Sequence, residues 1–290
     1  MKFMDFFDRA YVINLPKRSD RRTEITRELA KAEMPFKVGK VELFAAIRPE
    51  AADPFKSIGA KGAFLSHLTV LKSAQAANLS NVLVLEDDLQ FTPDFKQYEA
   101  ILLKELEGQD WDIVQFGYCT GGFNRKREFG TSLLAQFEGE NTGAHCYAVN
   151  GKILEQLIAF LEALQNGPVG DPHRGPISID GAFNVFKWCY PTTVNRLIAV
   201  PCFARQRSSA SDISTSWFDQ TPGLRQAADV ARKVPGVRHG GRFVRRQVCA
   251  PLKRYLAPLK QWLRHARKSA HRVPSSQSVV QQPSNCHSIG

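Results

Sequence analysis

The feature that most constrains the fold is a short apolar segment that is followed directly by three acidic residues. Residues 81–85, Asn-Val-Leu-Val-Leu, are typical of a buried strand, and Glu86, Asp87 and Asp88 stand where that strand would end. Further strand patterns alternate with helical patterns through the first half of the chain. This alternation predicts an α/β sandwich with a mixed, mostly parallel sheet, in which ligands bind beyond the carboxyl ends of the strands.

The predicted elements extend along the chain to residue 200. Strands are predicted at 11–15, 41–45, 81–85, 111–116, 131–137, 144–149 and 194–200, and helices at 19–32, 59–79, 95–106, 151–164 and 177–188. The sequence has no Gly-x-x-x-x-Gly-Lys-Ser/Thr loop, and no Gly-x-Gly-x-x-Gly follows the first strand. These absences argue against a P-loop nucleotidase and against a dinucleotide-dependent dehydrogenase.

The positive charge of the chain is concentrated in its last part. The net charge is +11, but residues 221–290 contain 14 Lys and Arg against one acidic residue, Asp229, so that residues 1–220 are near neutral at −2. With 43% hydrophobic residues, the chain can bury a core. We predict a folded domain at 1–220 that holds the chemistry, a basic helical tail at 221–273 and a disordered, Ser-, Gln- and Pro-rich segment at 274–290.

The tail has an amphipathic pattern. On a helical wheel its apolar residues fall within an arc of about 120°, opposite its basic residues. The apolar set is Val248, Leu252, Tyr255, Leu256, Leu259, Trp262, Leu263 and Ala266. Pro251 and Pro258 divide the pattern into two or three short helices, since an interior Pro costs roughly 3 kcal/mol. A basic helix with Trp and Leu on one face is typical of contact with an anionic membrane, and packing of that face on the folded domain is the alternative.

The predicted location is the cytoplasm, at the inner face of the membrane. Residues 1–10 include Asp5 and Asp8 and lack the basic start and the cleavage site of a secretory signal. The six cysteines form no Cys-x-x-Cys pair, which favours reduced thiols over a disulfide framework or a zinc site. No apolar stretch of about 18 residues is present to span a bilayer.

The three acidic residues after the strongest strand have two explanations. Carboxylate oxygens are the ligands that Mg²⁺ and Mn²⁺ prefer, and a cation held by them neutralises charge on a departing diphosphate. Alternatively, the residues form an acidic turn before a helix that begins near Pro93. The residue types alone leave both explanations open.

Six short motifs occur in order along the chain: YVINLPKRSDRR at 11–22, GAFLSHL at 62–68, VLVLEDD at 82–88, GAHCYAV at 143–149, ID at 179–180 and QRSSASDI at 206–213. Together they resemble glycosyltransferase family 25, the lipooligosaccharide and lipopolysaccharide galactosyltransferases and their collagen-modifying relatives. The resemblance implies a GT-A-like nucleotide-sugar-binding fold, a UDP-galactose donor, a divalent metal ion (Mn²⁺ or Mg²⁺) and inversion at the anomeric carbon. It also implies that Glu86 and Asp88 bind the metal, in place of a DxD motif, and that Asp87 faces the nucleotide sugar.

The resemblance assigns two residues after the first strand to the donor site. Asn14 and Arg18 lie where such folds receive the nucleotide, and an Arg there can pair with the diphosphate. The alternative for Arg18 is a solvated, basic helix start. For Arg21 and Arg22 we prefer that solvated position.

Further donor-site assignments depend on the resemblance. Ser66 and His67 fall within a helical pattern, where a lone His is otherwise a structural residue. His145 is either an additional metal ligand or a buried strand residue. Ser211 and Asp212 belong to a Ser-rich loop and are assigned by the resemblance alone.

Asp180 opens a predicted helix and has two compatible explanations. It is either an N-cap, a role that Asp fills well, or the general base that removes the proton of the acceptor hydroxyl or anchors that acceptor. Inversion needs such a base opposite the departing diphosphate.

The sequence thus predicts a metal-dependent, inverting galactosyltransferase that extends a lipid-linked saccharide, such as a lipooligosaccharide core, at an anionic membrane surface. One rival prediction is a nucleic-acid-binding protein recruited by the basic tail. The near-neutral folded part argues against it, and we expect no nucleic-acid partner. The other is an inert, saccharide-binding family member, and the presence of Glu86, Asp88 and Asp180 argues against that.

Overall fold

The computed structural model describes residues 1–119, 132–140 and 142–207, which form a nine-stranded sheet with helices on both faces. The helices are α1 (Phe3–Phe6), α2 (Ser19–Lys31), α3 (Ile58–Ala76), α4 (Pro93–Glu107), α5 (Leu154–Gln165, after a 3₁₀ turn at Gly151–Ile153) and α6 (Ile179–Cys189). The strands are β1 (Arg9–Asn14), β2 (Val41–Ala45), β3 (Asn81–Glu86), β4 (Leu89–Phe91), β5 (Ile113–Cys119), β6 (Leu134–Gln136), β7 (Thr142–Asn150), β8 (Arg196–Ala199) and β9 (Ala204–Gln206).

Strand direction in the sheet is mixed but mostly parallel, which confirms the predicted fold class. The order along the sheet is β2-β1-β3-β7-β5-β8-β6, and β9 pairs with both β4 and β5. Within the described residues, β1, β2, β3, β5, β8 and β9 run in one direction and β4, β6 and β7 in the other. The partners Asn14↔Ala45 and Ile13↔Glu86 bring the carboxyl ends of β1, β2 and β3 together.

Alternate residues of the central strands face two apolar cores. Ala10 and Val12 of β1 pack with α1, α2 and α4, whereas Tyr11 and Ile13 pack with α3, α5 and α6. Both faces of β3 are covered in the same way, and residues 82–85 are fully buried. A strand buried on both faces has a continuous apolar sequence rather than an alternating one, which is the pattern that predicted β3.

Local sequence also sets the starts of two helices that border the site. The Ser57 hydroxyl accepts a hydrogen bond from the Ala60 N–H at 3.0 Å and so caps α3. Helix α4 begins with Pro93, whose missing N–H has no intrahelical partner at that position in any case.

Three short elements were not predicted from the sequence: α1, β4 and β9. Each has only three or four residues, too few for a helical or strand period to show. Strands β4 and β9 pair from Leu89↔Gln206 to Phe91↔Ala204, which brings the end of β9 beside the acidic residues after β3. Ser211, Asp212, the predicted tail at 221–273 and the segment 274–290 lie outside the described residues.

The cysteines and the helix lengths of the described residues bear on the expected thiol state and on the absence of a membrane span. Among the described residues, Cys119, Cys146, Cys189 and Cys202 are free cysteines. No helix in this part of the chain has the length and apolar character needed to cross a membrane.

Candidate active site

The carboxyl ends of β1, β2 and β3 open into a cleft of about 650 Å³. This volume is within the range of about 300–1,000 Å³ that is usual for small-ligand sites. The predicted site residues on its wall are Arg18, Ser66, His67, Glu86, Asp87, Asp88 and Asp180. The structure therefore brings the acidic end of β3 and Asp180, which are far apart in the sequence, to one site.

Glu86 is connected to a buried histidine and a buried tyrosine. His67 Nε2 lies 3.4 Å from Glu86 Oε1, and His67 Nδ1 lies 2.9 Å from the Tyr147 hydroxyl oxygen. Burial raises the pKa of Tyr147 well above its ordinary value, so the hydroxyl keeps its proton.

These contacts keep Glu86 ionised. Burial raises the pKa of Glu86, but the hydrogen bond and charge of His67, with His145 and Gln206, lower it more, so that the pKa lies below its ordinary value. Gln206 Nε2 donates to Glu86 Oε2 at 3.1 Å. His67, which was predicted at the nucleotide sugar, thus has its two ring nitrogens directed at Tyr147 and Glu86.

Asp87 is anchored by the segment that follows β1. Asn14 Nδ2 donates to Asp87 Oδ2 at 2.8 Å, and Arg22 Nε donates to Asn14 Oδ1 at 3.2 Å. Burial raises the pKa of Asp87, although Arg21 and Asn14 lower it. Asn14, predicted at the donor site, reaches that site through Asp87 and is not itself on the cleft wall.

Arg21 corrects the sequence analysis, which placed it in a solvated helix start. Its Nη1 donates to Asp87 Oδ1 at 2.9 Å and lies 3.6 Å from Asp88 Oδ2, and its side chain is only 12% exposed. Buried carboxylates need a compensating cation, and the first turn of α2 supplies it. Arg18 also lines the cleft, but it donates to both carboxylate oxygens of Asp20, at 3.0 and 2.8 Å.

Of the three acidic residues, Asp88 has the carboxylate whose negative charge is least balanced by hydrogen bonds and nearby cations. Its Oδ1 is buried and accepts no hydrogen bond from the residues that the structure describes. Burial and the charges of Glu86 and Asp87 raise the pKa of Asp88 to about 7, despite the nearby charges of Arg21 and Arg207. A bound cation would stabilise the ionised form of this carboxylate.

Glu86 and Asp88 fit the divalent cation that the family resemblance implies. One is held ionised, the other offers a buried oxygen without a hydrogen bond, and both line the cleft. Within residues 1–119, 132–140 and 142–207, no group of three or more His, Cys, Asp or Glu side chains is arranged to hold a metal ion. Two carboxylates are enough protein ligands for Mg²⁺ at sites where the phosphates of a bound nucleotide supply the other oxygen ligands.

Ser66 supports the cleft wall from within α3. Its hydroxyl donates to the Gly62 carbonyl oxygen at 2.6 Å and accepts from the Ile47 N–H at 2.8 Å. A Cβ on Gly62 would lie 2.6 Å from the Ile47 carbonyl oxygen, so this close approach requires glycine. Ser66 thereby positions the backbone after β2, which forms part of the wall.

His145 is a buried residue of β7, which is one of the two explanations that the sequence leaves open. Its Nε2 donates to the Ala204 carbonyl oxygen at 3.1 Å, and burial lowers its pKa although Glu86 and this hydrogen bond raise it. His145 is not on the cleft wall. Its contact holds β9 against β7.

Asp180 is not the N-cap of its helix, which corrects one explanation from the sequence. Ser178 is the N-cap of α6, so Asp180 lies in the first turn. Its Oδ1 accepts from the Gly181 N–H at 3.0 Å, and its Oδ2 accepts from the Gly143 N–H at 2.9 Å. Gly143 is near the start of β7, and β7 is antiparallel to β3, so it starts where β3 ends. Each carboxylate oxygen keeps a lone pair that can accept a proton.

Residues of the cleft wall that the sequence analysis did not assign include Arg48, Cys119, Gln206 and Arg207. The Arg207 N–H donates to the Asp88 carbonyl oxygen at 2.7 Å, and Arg207 Nη2 donates to the Asp87 carbonyl oxygen at 2.6 Å. The motif at 206–213 indicated polar groups in this region. These groups are positioned by the pairing of β9 with β4, which no pattern of neighbouring residues in the sequence predicts.

The fold and the cleft define an α/β protein with a small-ligand site at the carboxyl ends of its parallel strands. A sequence model of glycosyltransferase family 25, described as an LPS biosynthesis protein, matches residues 7–169. The chain belongs to this family. The match includes the acidic residues after β3 and ends before Asp180, so the motifs at 179–180 and 206–213 lie beyond it.

Parts of other known proteins are similar to this chain. Over 129 residues it is 34% identical to "Procollagen galactosyltransferase 1-A" of Xenopus laevis and 31% identical to "Inactive glycosyltransferase 25 family member 3" of Homo sapiens. These matches cover 38% of this chain and 21% and 22% of the relatives, so the chain matches about a fifth of their length. A glycosyltransferase involved in glycosylation of the major capsid of PBCV-1 aligns over 70% of this chain and 94% of its own, at 12% identity and a TM-score of 0.44, which supports no conclusion.

Proposed function

We propose that this protein is a metal-dependent glycosyltransferase that moves galactose from UDP-galactose to a saccharide acceptor with inversion at the anomeric carbon. The observation that carries the proposal is that the acidic end of β3 and Asp180 line one cleft. Membership of glycosyltransferase family 25 supports sugar transfer, and the procollagen galactosyltransferase relatives support galactose.

On the donor side, Glu86 and Asp88 would hold the divalent cation, which when bound neutralises charge that develops on the departing diphosphate. His67 and Gln206 orient Glu86 and keep it ionised. Arg18 and Arg207 line the same wall, and binding of phosphate oxygens by either guanidinium would compete with its present contacts to Asp20 or to the Asp87 carbonyl oxygen.

On the acceptor side, Asp180 acts as the general base. The acceptor hydroxyl oxygen forms a bond to the anomeric carbon while the bond from that carbon to the diphosphate oxygen breaks, and the diphosphate leaves with the electron pair. The hydroxyl proton passes to a carboxylate oxygen of Asp180. The N–H groups of Gly143 and Gly181 fix the orientation of this carboxylate.

We further propose that the acceptor is a lipid-linked saccharide, such as a lipooligosaccharide core, reached at the inner face of the cytoplasmic membrane. The 14 Lys and Arg of residues 221–290 support this location, because each basic side chain gains about 1 kcal/mol near anionic lipid. Nucleic acid is not a partner in this proposal, because carboxylates line the cleft and the residues before the tail are near neutral.

The test is donor hydrolysis by the full-length protein without acceptor, with UDP-galactose, UDP-glucose and UDP-N-acetylglucosamine in Mn²⁺, Mg²⁺ or EDTA. We expect release of UDP from UDP-galactose that needs the cation, loss of this release in Asp88→Asn, and retention in the control Asp94→Asn on α4. Hydrolysis of none of the donors would contradict the proposed activity. Full hydrolysis in EDTA would contradict only the metal requirement.

A further inference from the structure

A second cleft, of about 370 Å³, lies beside the first. The two clefts share Ala60 and Ser178 on their walls. Ser178 is the N-cap of α6, and Asp180 lies two residues further on, on the wall of the first cleft. The second cleft therefore continues from the position of the candidate base. No residue on its wall was assigned a role by the sequence analysis.

One wall of the second cleft is a face of α6. Gly181, Val185 and Trp188 follow one another at spacings of four and three residues, so they share one face of the helix. At 1.5 Å per residue, Trp188 lies about 12 Å further along the helix axis than Asp180. The Trp188 side chain is 41% exposed, so a large aromatic surface faces solvent at the far end of the cleft.

The loop before α6 gives this far end a fixed shape. Asp171 Oδ1 accepts from the His173 N–H at 2.8 Å and from the Arg174 N–H at 3.1 Å, and the Gly175 N–H donates to the Asp171 carbonyl oxygen at 2.9 Å. The loop places the His173 ring 6.0 Å from the Trp188 ring, centroid to centroid. These contacts hold the loop so that His173 and Trp188 together form the aromatic end of the cleft.

The composition of the second cleft suits a saccharide. Apolar surface comes from Phe55, Ile177, Val185 and Trp188, and polar groups come from Lys56, Glu140, His173 and Asn184. A sugar ring has an apolar C–H face and hydroxyl groups around it. Such a ligand is bound by an exposed aromatic face with donors and acceptors nearby.

We infer that the second cleft binds the acceptor oligosaccharide beyond the sugar that receives galactose, with one sugar ring stacked on Trp188. The inference rests on the proposed function, because it takes Asp180 as the place where the acceptor hydroxyl lies. Since Trp188 is about 12 Å along α6 from Asp180, it contacts a sugar further along the acceptor chain rather than the reacting one. The protein therefore prefers acceptors of several sugars to single sugars.

The test compares Trp188→Ala, Trp188→Phe and the control Ile101→Ala, which removes an exposed apolar side chain from α4. The acceptor probes are lipooligosaccharide core fragments of increasing length, single sugars and procollagen peptides, with UDP-galactose as donor. We expect Trp188→Ala to raise KM for the longer fragments about tenfold or more, with kcat, single-sugar KM and acceptor-free donor hydrolysis unchanged. Trp188→Phe keeps a ring and should behave as wild type, as should Ile101→Ala.

An unchanged KM for the longer fragments in Trp188→Ala, with donor hydrolysis intact, would overturn the inference and leave the proposed function standing. Transfer by the wild type to procollagen peptides but to no saccharide would also overturn it, because the occupant would then be a peptide. A wild type that hydrolyses no donor would instead remove the proposed function, and this inference with it.

Discussion

The Asp180 carboxylate accepts a hydrogen bond from the Gly143 N–H at 2.9 Å and so joins the first turn of α6 to the start of β7. Gly143 has a φ of +94°, a backbone conformation that side-chain-bearing residues rarely adopt, so this donor position depends on glycine. The residue proposed as the general base is therefore also a structural link. Catalysis and stability are coupled at this residue.

Asp180→Asn is expected to lower turnover by about 10²–10⁴-fold, because an amide cannot accept the proton of the acceptor hydroxyl. The amide NH₂ would also face one of the two N–H donors, and loss of that hydrogen bond costs about 1–2 kcal/mol of unfolding free energy. Turnover and chemical denaturation are measured on the same preparation. In the control Asp112→Asn, the amide oxygen can face either the Asn195 N–H or Lys152 Nζ but not both, so stability should fall without loss of turnover. Normal turnover in a destabilised Asp180→Asn would make Asp180 purely structural.

Asp88→Asn is expected to stabilise the metal-free protein above neutral pH. Because burial raises the pKa of Asp88 from 3.8 to about 7, the folded state holds a proton that the unfolded state releases between these values. The contribution of Asp88 to the free energy of unfolding therefore falls as pH rises from about 4 to about 7. The variant should equal wild type near pH 4 and exceed it by roughly 1–3 kcal/mol near pH 8 in urea denaturation with EDTA. A pH-independent difference would mean that Asp88 is not protonated in this window.

Tyr147→Phe is expected to weaken Mn²⁺ binding roughly tenfold, because Tyr147 fixes the His67 ring that orients Glu86, and such supporting groups affect metal affinity by about 10–100-fold. Calorimetric titration of Mn²⁺ in the presence of UDP measures the affinity. Tyr118→Phe is the matched control, since it removes a buried hydroxyl that donates to the Ala199 carbonyl oxygen at 2.7 Å. Equal Mn²⁺ affinities in the two variants would show that Tyr147 does not act through Glu86.

Arg21→Gln is expected to lower the free energy of unfolding at neutral pH by about 2–4 kcal/mol, because it leaves Asp87 and Asp88 without their nearest cation. Arg27→Gln, on the exposed part of the same helix, should change stability by less than about 0.5 kcal/mol. Urea denaturation measures both. Similar values for the two variants would mean that the partly buried ion pair contributes no more than a surface charge.

Deletion of residues 237–290 is expected to release the protein from anionic vesicles, because most of the basic charge and the whole apolar arc of the tail lie there. Flotation with vesicles that contain phosphatidylglycerol is measured at low and high salt, and acceptor-free donor hydrolysis serves as the control for the remaining domain. A truncated protein that aggregates and loses hydrolysis would support the alternative, in which the apolar face of the tail packs on the domain.

The sequence determined those features that depend on neighbouring residues. The continuous apolar run of β3 shows burial on both faces, and the acidic residues after it were correctly placed at a cleft because ligands bind at strand ends in such folds. The alternation of strands and helices determined the fold class. The family motifs within residues 7–169 were likewise readable from the sequence, and the family match confirms them.

The tertiary structure decided which groups face each other. Insertion of β7 between β3 and β5 as an antiparallel strand brings Gly143 to Asp180, and pairing of β4 with β9 brings Gln206 and Arg207 to the acidic residues. Arg21 was expected in solvent but pairs with Asp87, since only the folded chain shows that a buried carboxylate lies within its reach. The spacing of apolar residues, which predicts helices and strands, is a property of neighbouring residues. Strand order and ion pairing depend on contacts between segments that are far apart in the chain, and no local pattern predicts those contacts.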